Sequence, residues 1–232
     1  MSRTEDIRMR GFRERSSVDE ALAAVLDGIA PLPAEAVAVT EAGGRVLSGS
    51  VSSTVNVPGF RRSTMDGYAV LAEDTYGASP YNPLPLRVVG TALPGGSTDE
   101  TIKHGECVRI MTGAPVPESA DAVLKAEDTN PGRGSIEVTA AVPVGRNIGR
   151  VGEDVVVGDT IFAAGRRLLP QDVGLLAAVG NSPVHVVRRP VVRIIVSGDE
   201  LLPPGASPVG PSIVDSNSPM LATLVERDGG VP

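Results

Sequence analysis

Tryptophan is absent from this 232-residue chain, cysteine occurs once and histidine twice. A single cysteine, Cys107, excludes an intrachain disulfide and any multi-cysteine zinc centre. It alternates with Val108 and Ile110, as a buried strand residue does. His104 lies in a turn (Lys103-His104-Gly105) and His185 alternates with valines, so neither a Ser/His/Asp triad nor a histidine-rich metal site is expected. Aromatic residues make up 3%, which leaves Val, Leu, Ile and Ala to build the core. No apolar run reaches membrane-spanning length. The basic N-terminal stretch (Arg3, Arg8, Arg10, Arg13, Arg15) is interleaved with Glu5, Asp6 and Glu14 and lacks the apolar segment of a signal peptide. It reads as a solvated tail on a cytoplasmic protein with no membrane partner. Asp and Glu outnumber Lys and Arg by 28 to 21, so there is no concentrated basic face for nucleic acid.

What is present is turn chemistry. With 27 glycines and 20 prolines the chain is punctuated for short strands rather than for a helical bundle, and its length allows one or two domains with a sizeable core. Ser17-Val18-Asp19-Glu20 is a capping box that opens an amphipathic helix, with Val18, Ala21, Leu22, Val25 and Ile29 on one face and Gly28 and Pro31 ending it. Ala36–Val39 alternates as a short strand. Between Pro58 and Pro143, strand-like runs at 68–71, 86–89, 107–111, 122–124 and 136–138 are separated by Gly, Pro, Asn, Asp and Ser, with a hairpin signal at Asn130-Pro131-Gly132. Pro170-Gln171-Asp172 opens a second helix. Val191–Val196 is a continuous β-branched run, the pattern of a strand buried on both faces of a parallel sheet, and a helix capped by Asn217 or Ser218 follows.

The expected fold is therefore multi-subdomain α+β. A flexible tail (1–15) precedes an elongated subdomain (16–57 with 144–187) of mixed helix and strand. Into this a β-rich subdomain (58–143) is inserted, and residues 188–232 begin a doubly wound α/β subdomain.

Without cysteines and histidines, chemistry must come from carboxylates, hydroxyls, arginines and backbone amides, an inventory suited to magnesium-assisted phosphate chemistry. Arg109–Pro117 breaks a strand into a loop with Thr112, Gly113 and two prolines. It reads equally as a rigid β-turn or as a loop that holds donors ready for a ligand. Asp66-Gly67 is a good turn; Asp66 could also hold a metal or an attacking water, and Arg61 and Arg62 nearby could pair with it or meet an anion. Arg146 and Arg150, with the amides of Gly149 and Gly152, form either an anion loop, in which Glu153-Asp154 anchors the arginines or binds a cation, or a solvated loop with local ion pairs. Ser197-Gly198-Asp199-Glu200 follows a strand at the edge where open α/β sheets bind ligands. Asp215-Ser216-Asn217, ahead of a helix, offers caps or a ligand edge.

Taken in order, Val57-Pro58-Gly59-Phe60, Met65-Asp66-Gly67-Tyr68-Ala69, Arg109–Pro117, Asn147-Ile148 with Gly152-Glu153-Asp154, Ser197–Leu201 and Asp215-Ser216-Asn217 resemble the motifs of the molybdopterin molybdenumtransferase family (molybdenum insertases, MoeA and the gephyrin E domain). The resemblance runs from about Ser16 to the end. It implies a cytosolic homodimer that takes adenylylated molybdopterin (molybdopterin-AMP), hydrolyses the adenylyl phosphate link and inserts molybdate with the help of Mg²⁺. The molybdopterin adenylyltransferase is an implied partner. The family's site lies between the α/β subdomain of one protomer and the β-rich subdomain of the other. Asp66, Thr112, Asp154, Glu200 and Asp215 match functional positions. Asp66 and Thr112 would form the partner-contributed wall, Glu200 and Asp215 would stand near metal and phosphate as metal ligands, and Asp154 would support either the Mg²⁺ or the molybdate. Arg109, Ser197, Gly198, Asp199, Ser216 and Asn217 are implied substrate contacts.

Two departures from the family stand out. The family reads Ser-Thr-Gly-Asp-Glu-Leu where this chain has Val196-Ser197-Gly198-Asp199-Glu200-Leu201, so a threonine is replaced. The family also continues into a glycine-rich pterin-binding loop and a C-terminal β-barrel, so the sequence is expected to be an N-terminal portion. A non-catalytic dimerisation or scaffold fragment, or an inactive paralogue, is the alternative. A generic magnesium phosphohydrolase lacks a P-loop here.

Overall fold

The computed structural model describes residues 16–97 and 100–232; the stretch read as a solvated tail lies outside the described residues. Helix α1 (Val18–Leu26) is followed by β1 (Ala34–Val37), β2 (Val51–Ser52), β3 (Arg62–Ser63), β4 (Gly67–Val70), β5 (Leu84–Ala92), β6 (Glu106–Ile110), β7 (Ala122–Lys125), β8 (Thr129–Pro131), β9 (Ser135–Val138), β10 (Ile148–Gly149) and β11 (Thr160–Phe162). Then come α2 (Pro170–Ala178), β12 (Val184–Val187), β13 (Leu201–Leu202), β14 (Ile213–Val214) and α3 (Asn217–Arg227). Two compact units result, Ala36–Val186 and the remainder.

The larger unit is built on a six-stranded sheet in the order β7-β4-β6-β5-β9-β8, antiparallel except for the β5–β6 pair. Period-two alternation sends neighbouring side chains to opposite faces. Ala69, Val108, Ile110 and Val123 pack in one apolar cluster, while Val70, Cys107, Leu124 and Ile136 pack in another. Both faces are covered with aliphatic residues, as the shortage of aromatics requires. Cys107 is fully buried, and loss of water around it pushes its thiol up to about 12, so it is an inert core residue. The Asn130-Pro131-Gly132 signal is the β8–β9 hairpin, closed by the Gly132 N–H donating to Ser135 O at 2.8 Å.

A third cluster gathers Ala42, Leu47, Leu168, Leu176, Val184 and Val186. Helix α2 starts with Pro170 in its first turn, and the Asp172 carboxylate takes the Leu169 N–H (3.0 Å) and a two-pronged contact from Arg166 (2.9 Å each). The strand expected at Ala36–Val39 is shifted: β1 ends at Val37 and Val39–Glu41 winds into a 3₁₀ turn.

In the smaller unit the capping box forms as expected, with Ser17 Oγ accepting from Glu20 N (3.2 Å) and Glu20 accepting from Ser17 N (2.8 Å). The apolar face of α1 has no buried residue. The run at Val191–Val196 corrects the sequence reading. It is not a buried strand: its one partner among the described residues is Val231, at a single parallel bridge with Val191, and both Val191 and Ile195 are 82% exposed. β-Branched composition favours a strand only where a neighbouring strand supplies a ladder and a packed face. Instead β13 and β14 form the parallel pair of this unit, and β14 leads into α3.

Candidate functional site

Asp66 sits on the turn before β4, and both ends of that turn are fixed. Its carbonyl accepts from Ala126 N at 3.0 Å. Gly67 packs so closely on β7 that a Cβ there would stand 1.9 Å from Leu124 O. Thr112 follows β6 in a loop laced to β3 by Gly113 N to Ser63 O (2.8 Å), Ser63 N to Ala114 O (2.9 Å) and Val116 N to Arg61 O (2.9 Å). Gly113 has φ +83°, a conformation other residues rarely adopt, and it turns the chain back under Thr112.

These two anchored turns meet. The Thr112 N–H and the Thr112 hydroxyl both donate to Asp66 Oδ1, at 2.7 and 2.8 Å. The backbone bond and then the hydroxyl bond hold the Asp66 carboxyl below its ordinary value, and the charge of Arg109 adds to this. Arg109 lies directly across the β4–β6 ladder, opposite Tyr68. The result is an exposed, ionised carboxylate with one oxygen committed and the other, Oδ2, taking no hydrogen bond from the described residues. Such a group can accept a hydrogen bond from a ligand donor without moving.

Asp154 lies in a different cluster. Arg62 Nη2 reaches Glu153 Oε1 at 2.8 Å and Asp154 Oδ2 at 3.3 Å, and Glu153 Oε2 takes the Arg150 N–H at 3.0 Å. This corrects the expected anchoring of that loop. The acids hold Arg62 rather than the Arg146 and Arg150 guanidiniums, and the Gly152 amide bonds to Pro58 O at 2.9 Å. Nor do Arg61 and Arg62 pair with Asp66. Asp121, which no sequence pattern singles out, accepts the Ala72 N–H at 2.6 Å across 49 residues of chain. No local pattern encodes a contact of that range.

In the smaller unit, Ser197, Asp215, Ser216 and Asn217 line one cavity of about 250 Å³ with Val196, Leu201 and Ile213. Gly198, Asp199 and Glu200 do not reach its wall. The Glu200 side chain folds back over Gly198, where a Cβ would meet it at 2.7 Å. Asp215 is buried and does the capping expected of Asn217 or Ser218: its Oδ1 accepts from Asn217 N and Ser218 N, both at 3.0 Å, and its Oδ2 from the Ser218 hydroxyl. An acid two residues ahead satisfies both amides at once, which a side chain inside the first turn cannot do. The Ser218 hydroxyl and the two amides hold the Asp215 carboxyl below its ordinary value. Among the described residues no group of three or more His, Cys, Asp or Glu side chains gathers to hold a metal, and no helix is long and apolar enough to cross a membrane.

Comparison with known proteins identifies the family of the chain. Residues 16–180 match the family described as the MoeA N-terminal region (domain I and II). Molybdopterin molybdenumtransferase 2 of Mycobacterium tuberculosis is 43% identical over 196 residues, covering 84% of this chain and 48% of that protein. The Staphylococcus aureus molybdopterin molybdenumtransferase is 31% identical over 212 residues, covering 91% of this chain and 51% of its own length. The crystal structure of the molybdopterin biosynthesis moeA protein from Pyrococcus horikoshii superposes with a TM-score of 0.81 at 37% identity, covering 92% of this chain and 57% of that one. The chain spans about half the length of the curated relatives it matches. With the ordered motifs, the curled mixed sheet and this agreement across most of its residues, the chain belongs to the MoeA N-terminal region family.

Proposed function

We propose that this chain provides the N-terminal region of a molybdopterin molybdenumtransferase, acting in molybdenum cofactor biosynthesis on adenylylated molybdopterin and molybdate as substrates. The observation that carries the reading is the Asp66–Thr112 pair. A carboxylate held ionised by two donors from one residue, with its second oxygen open, on a turn fixed by Gly67, is an arrangement that plain turn geometry does not require. In this reading Asp66 orients a donor of the substrate. Thr112 fixes Asp66, and Arg109 favours its charged form and meets an anionic substrate group. A scaffold module would have no use for the open oxygen.

The same proposal gives the smaller unit a binding role. The cavity bordered by Ser197, Asp215, Ser216 and Asn217 takes a polar substrate group, and Gly198 and Asp199 complete the loop leading to it. Glu200 and Asp215 carry oxygen donors of the kind Mg²⁺ takes, and Glu200 would share an ion with Asp215 by swinging its side chain off Gly198. Asp215 Oδ2 takes only the Ser218 hydroxyl and keeps lone-pair capacity, and Mg²⁺ commonly binds one or two carboxylates with waters. Bound there, the ion would neutralise charge on a phosphate oxygen. Asp154, paired with Arg62, supports the neighbouring loop. The reading includes a cytoplasmic homodimer fed by the molybdopterin adenylyltransferase, and the subdomain partition 16–57 with 144–187, 58–143 and 188–232.

A chimaera tests it. Residues 16–180 replace the matching region of the Mycobacterium tuberculosis relative in cells without molybdenumtransferase activity, and molybdoenzyme activity is scored. Restoration is expected, with Asp66→Asn lowering it about a hundredfold, the scale of removing one preorganised polar group from a reacting centre. A chimaera that folds and dimerises but restores nothing, or one indifferent to Asp66→Asn, sinks the reading.

A further inference from the structure

Three arginines in or next to the β3–β10 pair, Arg61, Arg62 and Arg150, are partnered differently. Arg62 is matched by Glu153 and Asp154. Its neighbour Arg61 donates through Nη2 to a neutral partner, the Ala120 carbonyl, at 2.7 Å. Arg150 stands near enough to favour the ionised form of Glu153, but only its backbone N–H bonds to that residue. Among the described residues neither Arg61 nor Arg150 takes part in an ion pair. Both line one cavity of about 310 Å³, walled by Val144, Ile148 and Val151, and the third polar side chain on it is Asp121.

The frame of this cavity is rigid. Asp121 Oδ1 is held by the Ala72 N–H at 2.6 Å, and its carbonyl accepts from Gly145 N at 2.7 Å. The second carboxylate oxygen takes no hydrogen bond from the described residues. Two guanidiniums without carboxylate partners call for an anion. A carboxylate among them repels a bare anion but accepts a hydrogen bond from one that still carries a proton. At pH 6 inorganic phosphate keeps a P–OH and about half of a phosphomonoester does, its second pKa being about 6; sulfate and molybdate keep none.

We propose that the Arg61–Arg150–Asp121 cavity is a binding site for a protonated phosphate group, either inorganic phosphate or a phosphomonoester, separate from the Asp66–Thr112 pair. Arg61 and Arg150 bind the unprotonated oxygens, and Asp121 accepts the remaining proton's hydrogen bond and so selects against fully deprotonated oxyanions. The site does not depend on the molybdenumtransferase reading.

The test is a titration of the whole ¹⁵N-labelled chain at pH 6 with sodium phosphate, sodium sulfate and AMP at matched ionic strength. The amides of Gly145, Arg150 and Val151 should shift saturably with phosphate, and sulfate should bind at least about tenfold more weakly, the worth of one charge-assisted hydrogen bond. Arg61→Gln and Arg150→Gln should each weaken phosphate by about tenfold or more. Arg150 is exposed, so its variant keeps the test alive should Arg61→Gln fail to fold. Asp121→Asn retains an acceptor for Ala72 N–H and should bring sulfate to within about threefold of phosphate, since the selecting charge is gone. AMP tighter than phosphate supports the site and assigns it to a phosphomonoester; phosphate tighter than AMP supports it and assigns it to the free ion. No saturable shift with phosphate or AMP, equal binding of sulfate by the unaltered chain, or indifference to Arg150→Gln overturns the proposal.

Discussion

Cys107-Val108-Arg109-Ile110 and Val191-Val192-Arg193-Ile194-Ile195-Val196 read alike, as β-branched runs interrupted by one arginine. The first becomes the centre of a sheet, flanked by β4 and β5, with Ile110 and Val108 fully buried. The second stays irregular, with one bridge and an exposed Ile195. Neighbours, not composition, separate them: a run on its own has no ladder to join and no face to cover. The loops that follow inherit the difference. The one after β6 is laced into place and delivers Thr112 to Asp66. The one after Val196 is held by a turn bond from Leu201 N to Gly198 O at 3.2 Å, with Glu200 O accepting from Ile213 N at 2.9 Å.

Substitutions that act on one stretch and not the other sharpen this contrast. The largest effect is expected at Gly67. A Cβ 1.9 Å from a carbonyl oxygen cannot be relieved by a rotamer change, so β4 and β7 must separate. Gly67→Ala should cost about 3 kcal/mol or more, read as a lower urea midpoint. Ile110→Ala should cost about 2–4 kcal/mol by opening a cavity in the sheet's core. A smaller, pH-dependent effect belongs to His104, whose ring nitrogens face Asp74 Oδ1 at 2.9 Å and Glu73 Oε1 at 3.3 Å. Asp74, then Glu73, raises the His104 value above the ordinary histidine range. The raised value means that this contact stabilises fully below the unfolded value, about 6.5, and is lost as pH rises through the folded one. His104→Gln should flatten that slope in pH-dependent melting. Ile195→Ala should be the smallest, within about 0.5 kcal/mol, because the side chain is already in water. A cost at Ile195 equal to that at Ile110 would break the comparison.

Local chemistry made much of the molecule legible in the sequence. The capping box at Ser17 and Glu20, the proline start of α2, the β8–β9 hairpin and the five strand runs of the large sheet each rest on residues a few positions apart. Long-range partnership was not legible. That Arg62 would be matched by Glu153, 91 positions away, or Asp121 by Ala72 N–H, has no signature in spacing. The helix start at Asn217 shows the same limit at short range. Spacing points to a cap inside the first turn, whereas the buried Asp215 reaches both amides from outside it. At the candidate site the sequence marked Asp66 and Thr112 as separate turns, and only the sheet joins them.

That junction is the centre of the account, and the carboxyl ¹³C titration of Asp66 tests it most directly. Because its folded value lies below the ordinary one of about 3.9, the stabilisation it brings is present above that value and lost as pH falls through the lowered one. Thr112→Val removes the hydroxyl bond but keeps the larger backbone bond, so the Asp66 midpoint should rise part of the way, while Thr112→Ser should leave it in place. An Asp66 that titrates at the ordinary value in the unaltered chain, or one that Thr112→Val does not move, would contradict the claim that Thr112 holds this carboxylate ionised.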